Sequence, residues 1–375
     1  MEDFNPKKKV LFIFGTRPEA IKMAPVITVF KADSYFETKI CITAQHREML
    51  DQVLDFFGII PDFDLDLMRK NQDLFSITAR VLEALKRPLE IFKPDLVFVH
   101  GDTTTTMAAS LAAFYSGSKV AHIEAGLRTF NKHSPFPEEM NRQITGRLTD
   151  LHFAPTNGSK ENLLAENVKE DQIFVTGNTV IDALYSTVLK VGNKTPEFAE
   201  KIPFATKKIL VITGHRRENF GDGMRRICEV FKEVATTRSD VHLVYPVHLN
   251  PKVQNVVWEV LGGLDSVSLI EPLSYPDFVW LMNKAHFIIT DSGGVQEEAP
   301  GLGKPVLVTR DTTERPEAVK AGTVLLVGTD SAQLKKGILT LLDEHLIYEQ
   351  MSQAHNPYGD GKASQRILKT VKEYL

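Results

Sequence analysis

Residues 286–305 read HFIITDSGGVQEEAPGLGKP. The apolar run Phe287, Ile288 and Ile289 ends at Thr290-Asp291, and Ser292-Gly293-Gly294 then opens a segment with helical spacing. That order predicts a strand, a tight glycine turn and a helix N-terminus. Free backbone N–H groups and the positive end of the helix dipole, about half a charge, point at whatever sits there. Glycines let the main chain approach a phosphate closely, and Ser292 can cap the helix while donating to an oxygen. Glu297 and Glu298 follow on adjacent positions, roughly 100° apart, so at most one faces a ligand, where a carboxylate suits ribose hydroxyls. The stretch reads as a nucleotide-diphosphate site that is neither a P-loop nor a GxGxxG turn, or as a capped helix in an ordinary α/β sheet.

Outward from this stretch the same rhythm recurs. Strands are expected at 9–14, 39–43, 95–99, 119–123, 151–154 and 173–176, with helical patterns at 18–31, 46–57, 73–92, 103–116, 137–148 and 157–166. After Lys194-Thr195-Pro196 the strands resume at 208–213, 241–246, 267–270, 286–290, 305–308 and 323–327. Alternation of this kind implies parallel sheets with right-handed crossovers. Twelve strands are many for one sheet, so the expected architecture is two doubly wound, Rossmann-like α/β domains with a hinge near 172–200. The divisions are drawn at 1–175, 176–360 and a terminal helical segment 361–375.

Composition fits. The 375 residues are 43% hydrophobic and 25% charged, enough for two α/β cores. A net charge of −4 argues against nucleic acid or an anionic membrane as the main partner. Cys41 and Cys228 lie in apolar or helical patterns and read as buried thiols. After the basic cluster near the N-terminus the apolar run VLFIF is too short for a signal segment or a membrane span, and a cytoplasmic protein is expected. There is no HExxH and no cysteine pair, so no metal is expected. Asp62, Asp64 and Asp66 alternate with Phe63 and Leu65 and read as an extended segment with one solvated face.

In doubly wound folds ligands bind beyond the carboxyl ends of strands. Gly15-Thr16-Arg17-Pro18-Glu19 follows the first strand; Pro18 suits a first helical turn, and Arg17 and Lys22 could flank an anion, though alone the segment reads as a surface turn with a routine Glu19–Lys22 pair. Asp102, after 95–99, is placed to cap the following helix or to serve at the strand end. Glu124 ends an apolar strand, where an unpaired charge is costly, and reads as functional or as the partner of Arg128. Glu138 and Glu139 open a helix bearing Asn141 and Arg142. In the second half, His215, Arg216 and Arg217 follow one strand, Tyr245-Pro246-Val247-His248 ends another, and Arg310 and Arg315 follow a third. Arginine forks suit diphosphate oxygens. Carboxylates thus concentrate on the first half's strand ends and cations on the second's, as a cleft with a diphosphate wall and an acid–base wall requires.

Taken together, GTRPEAIKMAP (15–25), TAQHREMLDQVL (43–54), HGDTTTT (100–106), HIEAGLRT (122–129), SPFPEEMNR (134–142), TGHRREN (213–219), YPVHLNP (245–251), DSGGVQEEAP (291–300) and RDTTERPEA (310–318) resemble the non-hydrolysing UDP-N-acetylglucosamine 2-epimerases. The resemblance implies two Rossmann-like domains facing a cleft, in the GT-B arrangement, with a final helix returning to the first. It implies reversible conversion of UDP-N-acetylglucosamine to UDP-N-acetylmannosamine for surface polysaccharide precursors, without a cofactor. By the motifs, Asp102, Glu124 and Glu138 match catalytic carboxylates, with Lys22 and His215 beside them in role. Arg17, His215, Phe278, Ser292, Gly293, Gly294, Glu298 and Arg315 match the UDP-binding set, Phe278 at the uracil and Glu298 on the ribose. Gln45, Glu48, Gln72, Glu138, Arg216 and His248 match an allosteric substrate site, with Asn71 departing from the pattern, and a homodimer is implied.

The chemistry points the same way. The sugar's C2 hydrogen is not acidic, and the chain lacks the GxGxxG turn an NAD-dependent oxidation would use. Expelling UDP from C1 acidifies that hydrogen, and two carboxylates on opposite faces could then move the proton. A retaining glycosyltransferase shares the fold and the ribose glutamate but does not need three carboxylates; a hydrolysing epimerase would release free sugar; a non-catalytic UDP-sugar sensor would tolerate their loss.

Overall fold

The structure, a computed structural model, describes residues 6–44, 47–67, 69, 72–192, 194–216 and 220–375. In chain order the strands are β1 (Lys8–Phe14), β2 (Phe36–Ile42), β3 (Phe63–Asp64), β4 (Leu96–His100), β5 (Lys119–Ile123), β6 (Leu151–Ala154), β7 (Ile173–Val175), β8 (Lys208–Thr213), β9 (Val241–Pro246), β10 (Val267–Ile270), β11 (Phe287–Thr290), β12 (Val306–Val308) and β13 (Val324–Leu326). The helices are α1 (Arg17–Ala32), α2 (Arg47–Phe57), α3 (Leu74–Phe92), α4 (Thr104–Tyr115), α5 (Glu138–Leu148), α6 (Asn157–Ala165), α7 (Thr179–Val191), α8 (Asp222–Thr237), α9 (Pro251–Leu261), α10 (Tyr275–Lys284), α11 (Gly293–Gly301), α12 (Pro316–Lys320), α13 (Ser331–Asp343), α14 (His345–Gln353) and α15 (Ala363–Tyr374). Among the described residues no helix is long and apolar enough to cross a membrane.

The chain divides into two compact units, Met1–Ala183 with Tyr358–Leu375, and Leu184–Pro357. The first division thus falls inside α7, later than the 175/176 line drawn from sequence, and the second falls before 360/361. In the first unit seven parallel strands run in the order β3-β2-β1-β4-β5-β6-β7, and in the second six run β10-β9-β8-β11-β12-β13. Both are the doubly wound order, which reverses between β1 and β4 and between β8 and β11, where such folds bind ligands.

Strand alternation builds the first core. Leu11, Ile13, Val97 and Val99 face α3 and α4, in a cluster that includes Val81, Leu85, Ala108 and Ala112. The opposite face carries Phe12 and Phe98, adjacent in register, with rings stacked at 4.4 Å. Phe30 of α1 meets both rings edge-on. Two-sided burial explains why these strands read as apolar runs. In the second unit Leu210, Ile212, Leu243 and Ile289 form the equivalent cluster with α8, α9 and α13. α15 packs on α1, and its N-terminus is held by Asp182, which accepts hydrogen bonds from the N–H groups of Ala363 and Ser364.

β3 has no counterpart in the sequence reading. It is two residues long and pairs with the end of β2. The acidic segment around it is pinned by its carboxylates: Asp62 accepts from the N–H of Ile40 (2.9 Å), and Arg47 pairs with Asp64 (2.7 Å). Both cysteines are buried thiols, and burial pushes Cys228 up to about 12.

The loop after β5 is bolted to α6. Gly126 has φ +90°, and a Cβ there would lie 2.2 Å from the carbonyl oxygen of Ser159. Asn162 donates to the Gly126 carbonyl (2.9 Å), and Arg128 forks onto Glu166 at 2.6 and 2.8 Å. Gly126→Ala should therefore destabilise the protein by about 3 kcal/mol, since backbone has to move on both sides. Urea denaturation reads this directly, and an unshifted midpoint would contradict the packing described.

Candidate functional site

In the first unit the polar groups gather where β1, β4 and β5 end. β5 stops at Ile123, and Glu124 turns into the left-handed region with φ 63°. A non-glycine residue held there costs of order 1–3 kcal/mol and persists only when its surroundings over-determine it. Those surroundings are specific. Lys22 of α1 forms an ion pair with Oε2 of Glu124, and Asn178 donates to the same oxygen through Nδ2 at 2.8 Å. His100 Nε2 lies 3.9 Å from it. Burial pushes His100 down to about 4, against the pull of Glu124, so the ring is neutral at physiological pH. The partner suggested by sequence, Arg128, is committed to Glu166.

Asp102 does not cap α4. That position belongs to Thr103, whose hydroxyl accepts from the N–H of Thr106 (3.1 Å). Asp102 instead accepts from Arg142 Nη2 at 2.7 Å, while Asn141 donates to its carbonyl at 3.0 Å. Burial raises its carboxyl to about 6; Arg142 opposes the rise, and the charges of Glu124 and Glu138 add to it. The adjacent glutamates of α5 separate cleanly. Glu139 is buried and accepts from the N–H groups of Thr129 (3.0 Å) and Phe130 (3.1 Å), so it holds a loop. Glu138 is half-buried at the first helical position.

The Gly15–Lys22 segment is not a surface turn, and Lys22 is not paired with Glu19. Glu19 is buried and accepts from the N–H groups of Gly15 (3.0 Å) and Thr16 (2.7 Å) and the hydroxyls of Thr103 (2.7 Å) and Thr106 (3.0 Å). One carboxylate thereby ties the loop after β1 to the loop after β4. It leaves Arg17 half-buried at the helix start and directs Lys22 to Glu124.

The second unit repeats the device. Asp291, fully buried at the end of β11, accepts from the N–H groups of His215 and Arg216, both at 2.9 Å. The His215 ring sits 3.3 Å from the other Asp291 oxygen and stacks on His248 at 5.5 Å. Ser292 occupies the N-cap of α11, but its side chain makes no cap hydrogen bond, contrary to the sequence reading. The amides of that first turn are thus not closed by the Ser292 hydroxyl. At Gly293 and Gly294 an added Cβ would meet nothing nearer than 3.8 Å, so protein packing does not demand glycine there. The two glycines leave the main chain of this helix N-terminus open to close approach. Of the two glutamates on α11, Glu297 pairs with Arg315, and Glu298 accepts from the Tyr275 hydroxyl at 3.0 Å. The Arg315 guanidinium also lies 3.8 Å from where a Gly293 Cβ would stand, and Phe278 is half-buried on α10 with Tyr275.

Of the positions matched to an allosteric site, Gln45 and the departing Asn71 lie outside the described residues, as does Arg217. Glu48 is exposed on α2, Gln72 accepts from Arg80 at 2.6 Å, and Arg216 and His248 flank His215. Sequence reasoning did not single out Glu19, His100, Asn178, Asp291 or Tyr275. The strand-end rule alone could have flagged Asn178, two positions beyond a strand expected at 173–176.

Fold and site together define a doubly wound α/β protein of the nucleotide-handling class, with a glycine-lined helix N-terminus in one unit and a carboxylate cluster in the other. The sequence profile described as UDP-N-acetylglucosamine 2-epimerase matches residues 28–372. A UDP-N-acetylglucosamine 2-epimerase of Salmonella typhimurium is 57% identical over 371 residues, spanning 98% of this chain and 99% of the relative. One from Escherichia coli K12 is 57% identical over 97% of this chain and 98% of its own. The crystal structure of UDP-GlcNAc 2-epimerase from Neisseria meningitidis bound to UDP-GlcNAc superposes with a TM-score of 0.89 at 52% identity, covering 97% of this chain and 100% of that one. The chain belongs to the UDP-N-acetylglucosamine 2-epimerase family.

The raised Asp102 carboxyl has a consequence for stability. Unfolded, it loses its proton near 3.8; folded, it holds it to about 6. Between those values the unfolded state releases a proton that the folded state keeps, so wild-type stability declines as pH rises through this window. Relative to wild type, Asp102→Asn should gain on the order of 2 kcal/mol between pH 4 and pH 7. Denaturant unfolding at both pH values measures the difference, and an equal difference at the two would contradict the assigned environment.

Proposed function

We propose that this protein interconverts UDP-N-acetylglucosamine and UDP-N-acetylmannosamine by elimination and re-addition of UDP, supplying surface polysaccharide precursors. The observation that carries the reading is the Glu124–Asp102 pair: one carboxylate bound by the Lys22 cation and the Asn178 amide, the other pushed up to about 6 by burial. Two proton-handling groups with environments pushed apart suit proton removal and proton return. In the forward direction the C1–O bond breaks with its electron pair leaving on UDP. Positive charge at C1 acidifies C2–H, a carboxylate takes that proton, and a C1=C2 double bond forms. UDP then adds back to C1 while a proton reaches the opposite face of C2. The α11 N-terminus, His215 and Arg315 would stabilise departing UDP, and Glu298 the ribose.

Proton NMR of the protein with UDP-N-acetylglucosamine in D₂O tests this. Deuterium should enter C2 as UDP-N-acetylmannosamine grows, with no free sugar. Release of UDP and free N-acetylmannosamine would replace the reading with hydrolysis, and bound but unchanged substrate would replace it with a transferase or a sensor. Glu138→Gln should lower turnover at least 100-fold while UDP binding stays within about threefold; lost UDP affinity would remove Glu138 from the proton-handling set. Glu298→Ala should weaken UDP binding about tenfold, and equal affinity would sink the ribose assignment.

A further inference from the structure

Asn178 stands where two segments of the first unit pass close to each other. Gly177 before it has φ +87°, and a Cβ there would lie 3.3 Å from the Cα of Gly359 and 3.3 Å from the carbonyl oxygen of Tyr358. The N–H of Asn178 donates to that carbonyl at 2.7 Å. One turn along α7, Asp182 accepts from the N–H groups of Ala363 (3.1 Å) and Ser364 (2.8 Å) and from the Ser364 hydroxyl (2.5 Å). The outgoing segment 176–182 and the returning segment 358–364 are therefore fastened to each other, main chain against main chain.

The side chain of Asn178 is oriented by the same constraint. Its Oδ1 accepts from the N–H of Val180 at 3.0 Å. An amide has one oxygen, so the end that meets Glu124 must be Nδ2, a donor with fixed polarity. It reaches Oε2 of Glu124 at 2.8 Å, across 54 residues of sequence. Around that carboxylate stand Lys22 from α1, His100 from β4 and Asp102 from the loop beyond it. Asn178 is an uncharged donor among these, and its backbone position is set by the returning segment.

We propose that Asn178 is a positioning residue for the reaction: it holds Oε2 of Glu124 from a backbone pinned at Tyr358, so the geometry of the proton-handling carboxylate depends on the crossing of the outgoing and returning segments. The inference rests on the reading that Glu124 handles the C2 proton. It adds a part to that reading, because Asn178 touches the carboxylate and not the reacting atoms.

Two substitutions separate this role from helix capping. Asn178→Asp retains an oxygen for the Val180 N–H but removes the donor and sets a second carboxylate against Glu124. Asn178→Ser retains a hydroxyl for the cap and is too short to reach Glu124. The experiment measures kcat and KM for UDP-N-acetylglucosamine across pH, thermal melting, and deuterium uptake at C2, in parent and variants of the full chain. For Asn178→Ser, kcat should fall about 10- to 100-fold with KM within about threefold and melting little changed. For Asn178→Asp the fall should be larger. Its acidic limb should move about one unit to higher pH, because losing a donor and gaining a like charge both disfavour the ionised carboxylate. Unchanged kcat and an unmoved acidic limb in folded variants overturn the proposal, as does a rise confined to KM. A parent that takes up no deuterium overturns the underlying reading as well; a parent that exchanges beside unaffected variants overturns the role of Asn178 alone.

Discussion

A carboxylate placed at the end of a buried strand has to be compensated, and compensation of Glu124 organises much of the first unit. Only 9% of its side chain is exposed. An isolated charge so buried would cost several kcal/mol and would take up a proton instead. Here α1 contributes a cation, Asn178 just before α7 contributes an amide, and β4 brings a neutral imidazole near. The cation, the imidazole and Glu124 itself come from the adjacent β1, β4 and β5 units, while the amide arrives from beyond β7, two strands further along the sheet. The left-handed backbone at Glu124 fits this picture: strain of a few kcal/mol is tolerated where several contacts fix one geometry.

Two further buried carboxylates do quieter work. Glu19 and Asp291 each collect adjacent backbone N–H groups from the loop that follows the first strand of its unit, Gly15 and Thr16 in one case and His215 and Arg216 in the other. Each carboxylate accepts from two successive backbone amides and so fixes the start of its loop. These loops carry Arg17 and His215. Holding such groups on rigid supports before any ligand arrives reduces the ordering cost of binding.

The fold was legible because both sheets are covered on two faces, and two-sided burial writes continuous apolar runs into sequence. β3 escaped because two residues joined to β2 leave no such run. The carboxylates of the site were legible from their place beyond strand ends. Their partners were not. Lys22 is 102 residues from Glu124, Asn178 is 54 away, and Glu166 is 38 from the Arg128 it holds, so spacing along the chain carries no trace of these pairs. Local reasoning offered a routine Glu19–Lys22 pair in a surface turn, and the helix cap as one of two roles for Asp102. The tertiary fold overrode both, because Thr103 supplied the cap and Glu19 had four better donors.

The central chemical claim is that the bond between C1 and the β-phosphate oxygen breaks while C2 inverts. UDP-N-acetylglucosamine carrying ¹⁸O at that bridging oxygen tests it. If UDP departs and returns, its β-phosphate can rotate between the two events, and the label should spread into the non-bridging positions as the epimers equilibrate, in recovered substrate as well as product. Epimers that reach equilibrium with the label still bridging would contradict elimination of UDP and the roles assigned to the carboxylates.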